Sequence, residues 1–277
     1  MDKNLRLART DLAVECIENE NTNVSGVSHN EEKINGISVT RVKIKTKTAS
    51  ESLGKPIGKY ITVETTPFYR FTPDFKSQVK IVGDEIKKLL PDGMILVIGL
   101  GNSAITPDAL GPEVINLIFS TRHLFEIEAF KNLRRTAAVA PGVLGQTGIE
   151  TAEIVSGIVK TIKPDGVIVI DALASRELSR LGATVQISDT GIIPGSGVAN
   201  HRKALTKETL GVPVISIGVP TVVDINTVFK NTSSENMVVT PREIDTIIEN
   251  AAKTVAFGIN LALQPTLSLD EIISLVN

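Results

Sequence analysis

The chain has 277 residues, 42% of them hydrophobic and 22% charged, enough for one large domain with a buried core. Lys and Arg total 29 against 31 Asp and Glu, so no basic surplus argues for nucleic-acid binding, and the single cysteine, Cys16, excludes an internal disulfide framework and zinc sites built on two or four cysteines. Met1-Asp2-Lys3-Asn4-Leu5-Arg6 is followed by no apolar leader core and the longest apolar run, 94–100, is too short for a bilayer, so neither secretion nor membrane insertion is expected and a reducing, cytoplasmic setting is.

In chain order, residues 1–35 are poor in large apolar side chains and predict a mobile N-terminal arm to about residue 35. Ile37, Val39, Val42 and Ile44, then Tyr60, Ile61 and Val63, alternate with polar residues and predict a strand pair across the turn Gly54-Lys55-Pro56-Ile57-Gly58. Val79, Val82, Ile86, Leu89 and Leu90 fall at helical spacing, stopped by Pro91-Asp92-Gly93. The runs 94–98, 137–140, 167–170 and 212–217 are continuously apolar, as strands buried on both faces of a parallel sheet must be. Helical stretches are predicted at 109–119, 147–161 and 241–263, and Lys163-Pro164-Asp165-Gly166 reads as a helix-to-strand turn. This alternation predicts one α/β domain, a three-layer sandwich around a mostly parallel central sheet.

Ligands of open parallel sheets collect at the carboxyl ends of the strands, so the residues just after the apolar runs matter most. Two such segments carry an acid, Asp108 and Asp171. Thr106 as N-cap with Pro107 at the first helical position puts Asp108 in a first helical turn, where the helix dipole favours an anion. Asp171 directly follows Val-Ile-Val-Ile and is expected to be partly desolvated. Alone, each is equally well explained as a helix-start residue or a strand-end cap. Together at one edge, in unlike surroundings, they can divide acid and base roles.

Gly99-Leu100-Gly101-Asn102-Ser103-Ala104 formally matches a dinucleotide fingerprint, but the helix starts too late and no acidic residue follows at the required distance. A second glycine-rich loop, from Gly191 through Gly195-Ser196-Gly197 to His201-Arg202-Lys203, offers amides, a hydroxyl and two cations to a substrate cleft, or is a solvated surface loop. Ser196 lies outside a nucleophile elbow, and His29, His123 and His201 have no metal-ligand spacing.

Together, several segments resemble the germination protease family, endopeptidases of spore-forming bacteria that degrade small acid-soluble spore proteins. They are Arg9-Thr10-Asp11-Leu12-Ala13-Val14-Glu15, the stretch from Val97 to Pro112, Ala140-Pro141-Gly142-Val143-Leu144-Gly145, Asp171-Ala172-Leu173-Ala174-Ser175, Pro194-Gly195-Ser196-Gly197 and the stretch from Ile217 to Asp224. The resemblance implies a zymogen that removes its own propeptide, residues 1–11, by cutting between Asp11 and Leu12, leaving 12–277 as the peptidase domain. It implies a fold similar to hydrogenase-maturation peptidases and a catalytic pair matching Asp108 and Asp171. It also implies a homotetramer of the spore cytoplasm, or core, that acts at germination. No cofactor, no metal, no nucleic acid and no membrane is expected. Two departures stand out: the segment 224–236 is short where relatives carry a charged insertion, and Ile193 occupies a position where relatives carry His.

In the mechanism this suggests, one carboxylate activates water and its protonated partner assists the leaving nitrogen, with Asp171 as the proton carrier. The backbone from Gly99 to Asn102 is expected to offer oxyanion donors. Asn102, Ser196, Arg202 and Lys203 are the expected substrate contacts; an acidic residue before the cut calls for a cation, and Arg202, Lys203 and Arg176 are nearest in sequence. A metal-dependent maturation-type peptidase on the same fold and a non-catalytic binding protein for a nucleotide or small acid are the alternatives.

Overall fold

The computed structural model describes residues 10–18, 25–70, 73–193, 203–224 and 237–276. Within these the protein is α/β, with a nine-stranded mixed sheet between two layers of helices. The strands are β1 (Val27–Ile34), β2 (Ile37–Ile44), β3 (Gly58–Glu64), β4 (Ile95–Gly99), β5 (Thr136–Val139), β6 (Gly166–Ser175), β7 (Thr184–Ser188), β8 (Val214–Asp224) and β9 (Val238–Val239). Their spatial order is β1-β2-β3-β7-β8-β6-β4-β5, with β9 added to β8. The four predicted apolar runs are the parallel centre, β5-β4-β6-β8. From β8 outward the sheet continues as an antiparallel wing through β7, β3, β2 and β1.

Side chains alternate across each strand, so the two faces bury different sets. Ile95, Val97, Ile168, Ile170, Ile187 and Ile217 face one core, closed by α3 (Phe75–Lys87), α4 (Leu110–Asn116) and α8 (Ile244–Leu263). Leu96, Ile98, Val167 and Val169 face the other, closed by α6 (Thr151–Ile162) and by Leu210 of the short α7 (Lys207–Leu210). On that second face the wing is covered by α1 (Ala13–Glu18) and α2 (Lys47–Leu53), through Ala13, Ala49 and Leu53 against Val42, Ile44 and Tyr60. The last helix, α9 (Leu269–Val276), buries Ile272 against Val79 and Phe257.

Several elements differ from the sequence expectation, each for a local reason. Residues 13–18 and 27–34 of the expected arm form α1 and β1: Leu12 is fully buried, and β1 pairs with β2 along its whole length. Asn35 (φ 51°) and Gly36 (φ 84°) make the two-residue turn between them, a conformation that Asn-Gly adopts readily. The expected pairing of β2 with β3 is present, but α2 lies in the connection, ended by Gly54 at φ 63°. The expected helix at 147–161 is two helices, α5 (Leu144–Thr147) and α6, parted at Gly148 in the left-handed region. Before β6, Lys163 takes the left-handed cap position, and the Asp165 carboxylate accepts from Met94 N–H at 2.7 Å.

Candidate active site

β4 stops at Gly99, paired with Ile170, while β6 and β8 run on to Ser175 and Asp224. Asp171 is therefore the first β6 residue beyond β4, not a strand-end cap, and it is buried, with its Oδ1 accepting from Ala172 N–H at 3.0 Å. Its sheet partner on β8 is Gly218, whose partner on β7 is Gln186. Gln186, Gly218 and Asp171 thus form one row across the second face of the sheet. A Cβ at Gly218 would come within 2.5 Å of Leu173 Cγ.

Asp108 reaches the same edge by a different route. The helix does not begin at Thr106; residues 106–108 form a single 3-10 turn, and α4 starts at Leu110. In place of a helix-dipole contact, Asp108 Oδ2 accepts directly from Asn102 N–H at 2.9 Å, and the same N–H meets Asp108 O at 3.0 Å. Gly101 (φ 116°) makes this possible, since a Cβ there would lie 1.9 Å from Asp108 O. Gly99 faces Gly111 as closely: a Cβ on either would overlap the other's backbone. The fingerprint-like glycines thus serve the approach of α4 and its lead-in turn to the β4 loop. Thr221 Oγ1 donates to Pro107 O at 2.7 Å and ties that turn to β8, at the point where the β6–β8 register slips by a bulge. The neighbours Ala109 and Leu110 belong to the first core, so Asp108 sits where the chain crosses the sheet edge and Asp171 on the second face.

The other expected site residues separate. Asn102 contributes its N–H to Asp108, and its side-chain oxygen accepts from Ala104 N–H at 3.0 Å and Gln146 Nε2 at 2.6 Å. Since Leu100 N–H is bound to Ile170 O, two of the amides expected to serve an oxyanion are already engaged. Lys203 is exposed and pairs with Glu153 of α6 at 3.2 Å. Ser196 and Arg202 lie outside the described residues.

On the second face, over β7 and β8, lies a cleft of about 490 Å³ whose walls include Lys55, Tyr60, Leu173, Arg176, Gln186 and Gly218. Thr10 and Asp11 form part of its wall, and residues 11–13 are held beside it by hydrogen bonds. Asp11 N–H donates to Ala174 O at 2.9 Å and Ala174 N–H donates to Asp11 Oδ2 at 2.9 Å, so β6 beyond β4 holds this residue by backbone and side chain together. Asp11 O accepts from Lys55 Nζ at 2.9 Å and from Gln186 Nε2 at 2.9 Å, while Gln186 Oε1 accepts from Ala13 N–H at 2.9 Å. Leu12 packs with Val14 against Leu173, and Glu15 accepts from the N–H groups of Arg176 and Glu177 at 2.7 and 3.1 Å. Cys16 also lines the cleft; burial pushes its thiol pKa up, against the pull of Lys55 and Arg176. Burial likewise raises Tyr60 to about 12. Sequence reasoning passed over Lys55, read as part of a turn, and Gln186, in a five-residue strand it did not predict.

A family model described as germination protease matches residues 6–234. The germination protease of Caldanaerobacter subterraneus subsp. tengcongensis is 44% identical over 97% of this chain and 98% of its own length. Those of Clostridium perfringens and Clostridium tetani are 39% and 41% identical, each over 97% of this chain and 99% of their own. The NiFe hydrogenase maturation protease HycI from Thermococcus kodakarensis KOD1 is also similar, at 20% identity over 63% of this chain and 98% of its own, with a TM-score of 0.38. The protein is a peptidase and belongs to the germination protease family.

Proposed function

We propose that this protein is the endopeptidase that degrades small acid-soluble spore proteins at germination, and that it is made as a zymogen which cuts itself between Asp11 and Leu12. What supports self-cleavage most is the docked segment: the Asp11 carbonyl rests on Gln186, one glycine across the sheet from Asp171. With strands about 4.8 Å apart, the α-carbons of Gln186 and Asp171 are roughly 10 Å apart, a span that takes a peptide unit and a water.

In this mechanism Asp108 and Asp171 supply the acid–base pair. Asp171, buried in β6 with its Oδ1 accepting from Ala172 N–H at 3.0 Å, is the group assigned to carry the proton to the leaving nitrogen. Asp108, fixed by Asn102 N–H, is the group assigned to accept a proton from water. A substrate with an acidic residue before the cut would take the place of Asp11, its carboxylate on Ala174 N–H and its backbone on Ala174 O. Assembly as a homotetramer and residence in the spore core are carried by the family resemblance. Among the described residues, no helix is long and apolar enough to cross a membrane.

The test is mass spectrometry of the full-length protein over time at mildly acidic and neutral pH, with and without a chelator. The wild type should lose residues 1–11, and the double variant Asp108→Asn, Asp171→Asn should stay whole while keeping its circular dichroism. Cleavage retained in the double variant would sink the carboxylate mechanism, and cleavage stopped by chelator would replace it with a metal-dependent one.

A further inference from the structure

The carbonyl of the proposed scissile bond is held more tightly than docking alone requires. Asp11 O receives two donors, the Lys55 ammonium and the Gln186 amide, both at 2.9 Å. Lys55 Nζ also reaches Thr10 O at 3.2 Å, and Gln186 Oε1 takes Ala13 N–H, so the two side chains bracket the peptide from both sides of the Asp11–Leu12 bond. The nitrogen of that bond is fixed as well, with Leu12 N–H donating to Thr10 Oγ1 at 3.0 Å. Each donor has a rigid origin. Lys55 follows the left-handed cap Gly54, and its own N–H closes on Ser50 O at 3.2 Å. Gln186 is buried in β7 between β3 and β8.

We propose, resting on the self-cleavage assigned above, that Lys55 and Gln186 are catalytic residues forming the oxyanion site for this cut, and that they act in the place expected of the Gly99–Asn102 backbone. Water adds to the Asp11 carbonyl carbon and gives a proton to the carboxylate base. The carbonyl π electrons move to Asp11 O, where the negative charge meets an ammonium and an amide N–H already in place. Collapse re-forms the C=O, breaks the Asp11–Leu12 C–N bond and sends a proton from the acid to the Leu12 nitrogen. The products are the Asp11 carboxyl group and a Leu12 amine. A cation suits the task better than a neutral donor, because its attraction grows as charge develops on the oxygen.

The experiment follows self-cleavage of the full-length chain by mass spectrometry in wild type, Lys55→Met, Lys55→Arg and Gln186→Met. Loss of one such donor costs about 10²–10³-fold in rate, so Lys55→Met and Gln186→Met should each slow the cut by about that factor, with partial rescue in Lys55→Arg. Hydrogen exchange at Asp11 and Ala13, measured in an Asp171→Asn background that keeps the chain whole, separates chemistry from docking. Asp11 protection that survives in Lys55→Met while cleavage is lost supports the assignment; protection lost in step with cleavage overturns it, leaving Lys55 as a docking residue. Cleavage at the wild-type rate in Lys55→Met also overturns it while self-processing stands. If wild type itself never cuts after Asp11, self-processing fails instead.

Discussion

Gly101 lets the loop after β4 close on Asp108. At φ 116° and with Asp108 O where a Cβ would go, it has room for hydrogen alone. Gly101→Ala should destabilise the protein by about 1–3 kcal/mol, the usual cost of a strained backbone position, and reduce cleavage more than stability, because Asp108 must move to relieve the overlap. Thermal melts and cleavage rates on the same preparation check this; a stable variant with full activity would mean the loop yields without disturbing Asp108. In the sequence the two glycines amounted only to a formal match to a dinucleotide fingerprint, and the fold shows what they serve, Gly99 against Gly111 and Gly101 against Asp108. Asp171 could be singled out in the sequence because it ends an apolar run, and Asp108 because it lies in the loop after another. Lys55 and Gln186 were not, since their value comes from a segment 44 and 175 positions away in sequence that docks against them.

At the level of elements, the antiparallel wing is fastened to the helical layer by a buried charge. Glu85 of α3 is buried, and Arg41 of β2 meets it at two points, Nε to Oε2 at 3.1 Å with Nη2 on Oε1; Lys88 adds a contact at 2.7 Å. Burial alone would raise the Glu85 pKa, but Arg41 and Lys88 together hold it below its ordinary value of 4.5. A carboxyl that binds its proton more weakly when folded stabilises fully above its unfolded pKa, and that contribution disappears as pH falls through the folded value. Arg41→Met, which leaves this carboxylate short of its main partner, should cost about 3 kcal/mol at pH 7. Its penalty should shrink as pH falls below 4.5, read from denaturant melts across that range; a penalty constant with pH would mean packing, not charge, is what Arg41 supplies. The wing was only half legible. β2 and β3 alternate cleanly, whereas β1 is exposed over most of its length and carries no apolar pattern, so its one sequence signal was the Asn35-Gly36 pair at its end. β7 was missed because Thr184, Gln186 and Ser188 line its second face, and five residues with two apolar positions give a weak period.

For the whole molecule, the consequence lies in what each side of the Asp11–Leu12 bond would be tied to once that bond is cut. Downstream, Leu12 is sealed in the interior and Glu15 is bonded to two backbone amides, so the new end stays where it is. Upstream, the segment ahead of the bond keeps its contacts at residues 10 and 11 as a tethered ligand, at an effective concentration in the millimolar range set by the short connection. Once the bond is cut that advantage vanishes, and the freed peptide competes for the groove only at its bulk concentration. A synthetic peptide of residues 1–11, added at the enzyme's own micromolar concentration, should therefore leave the processed enzyme uninhibited in a competition assay against an acidic peptide substrate. Micromolar inhibition would mean the tether contributes little. In the proposed self-cleavage, one covalent event would turn a tethered wall of the cleft into a free peptide, and dilution, with no further movement of the fold, would keep that side open.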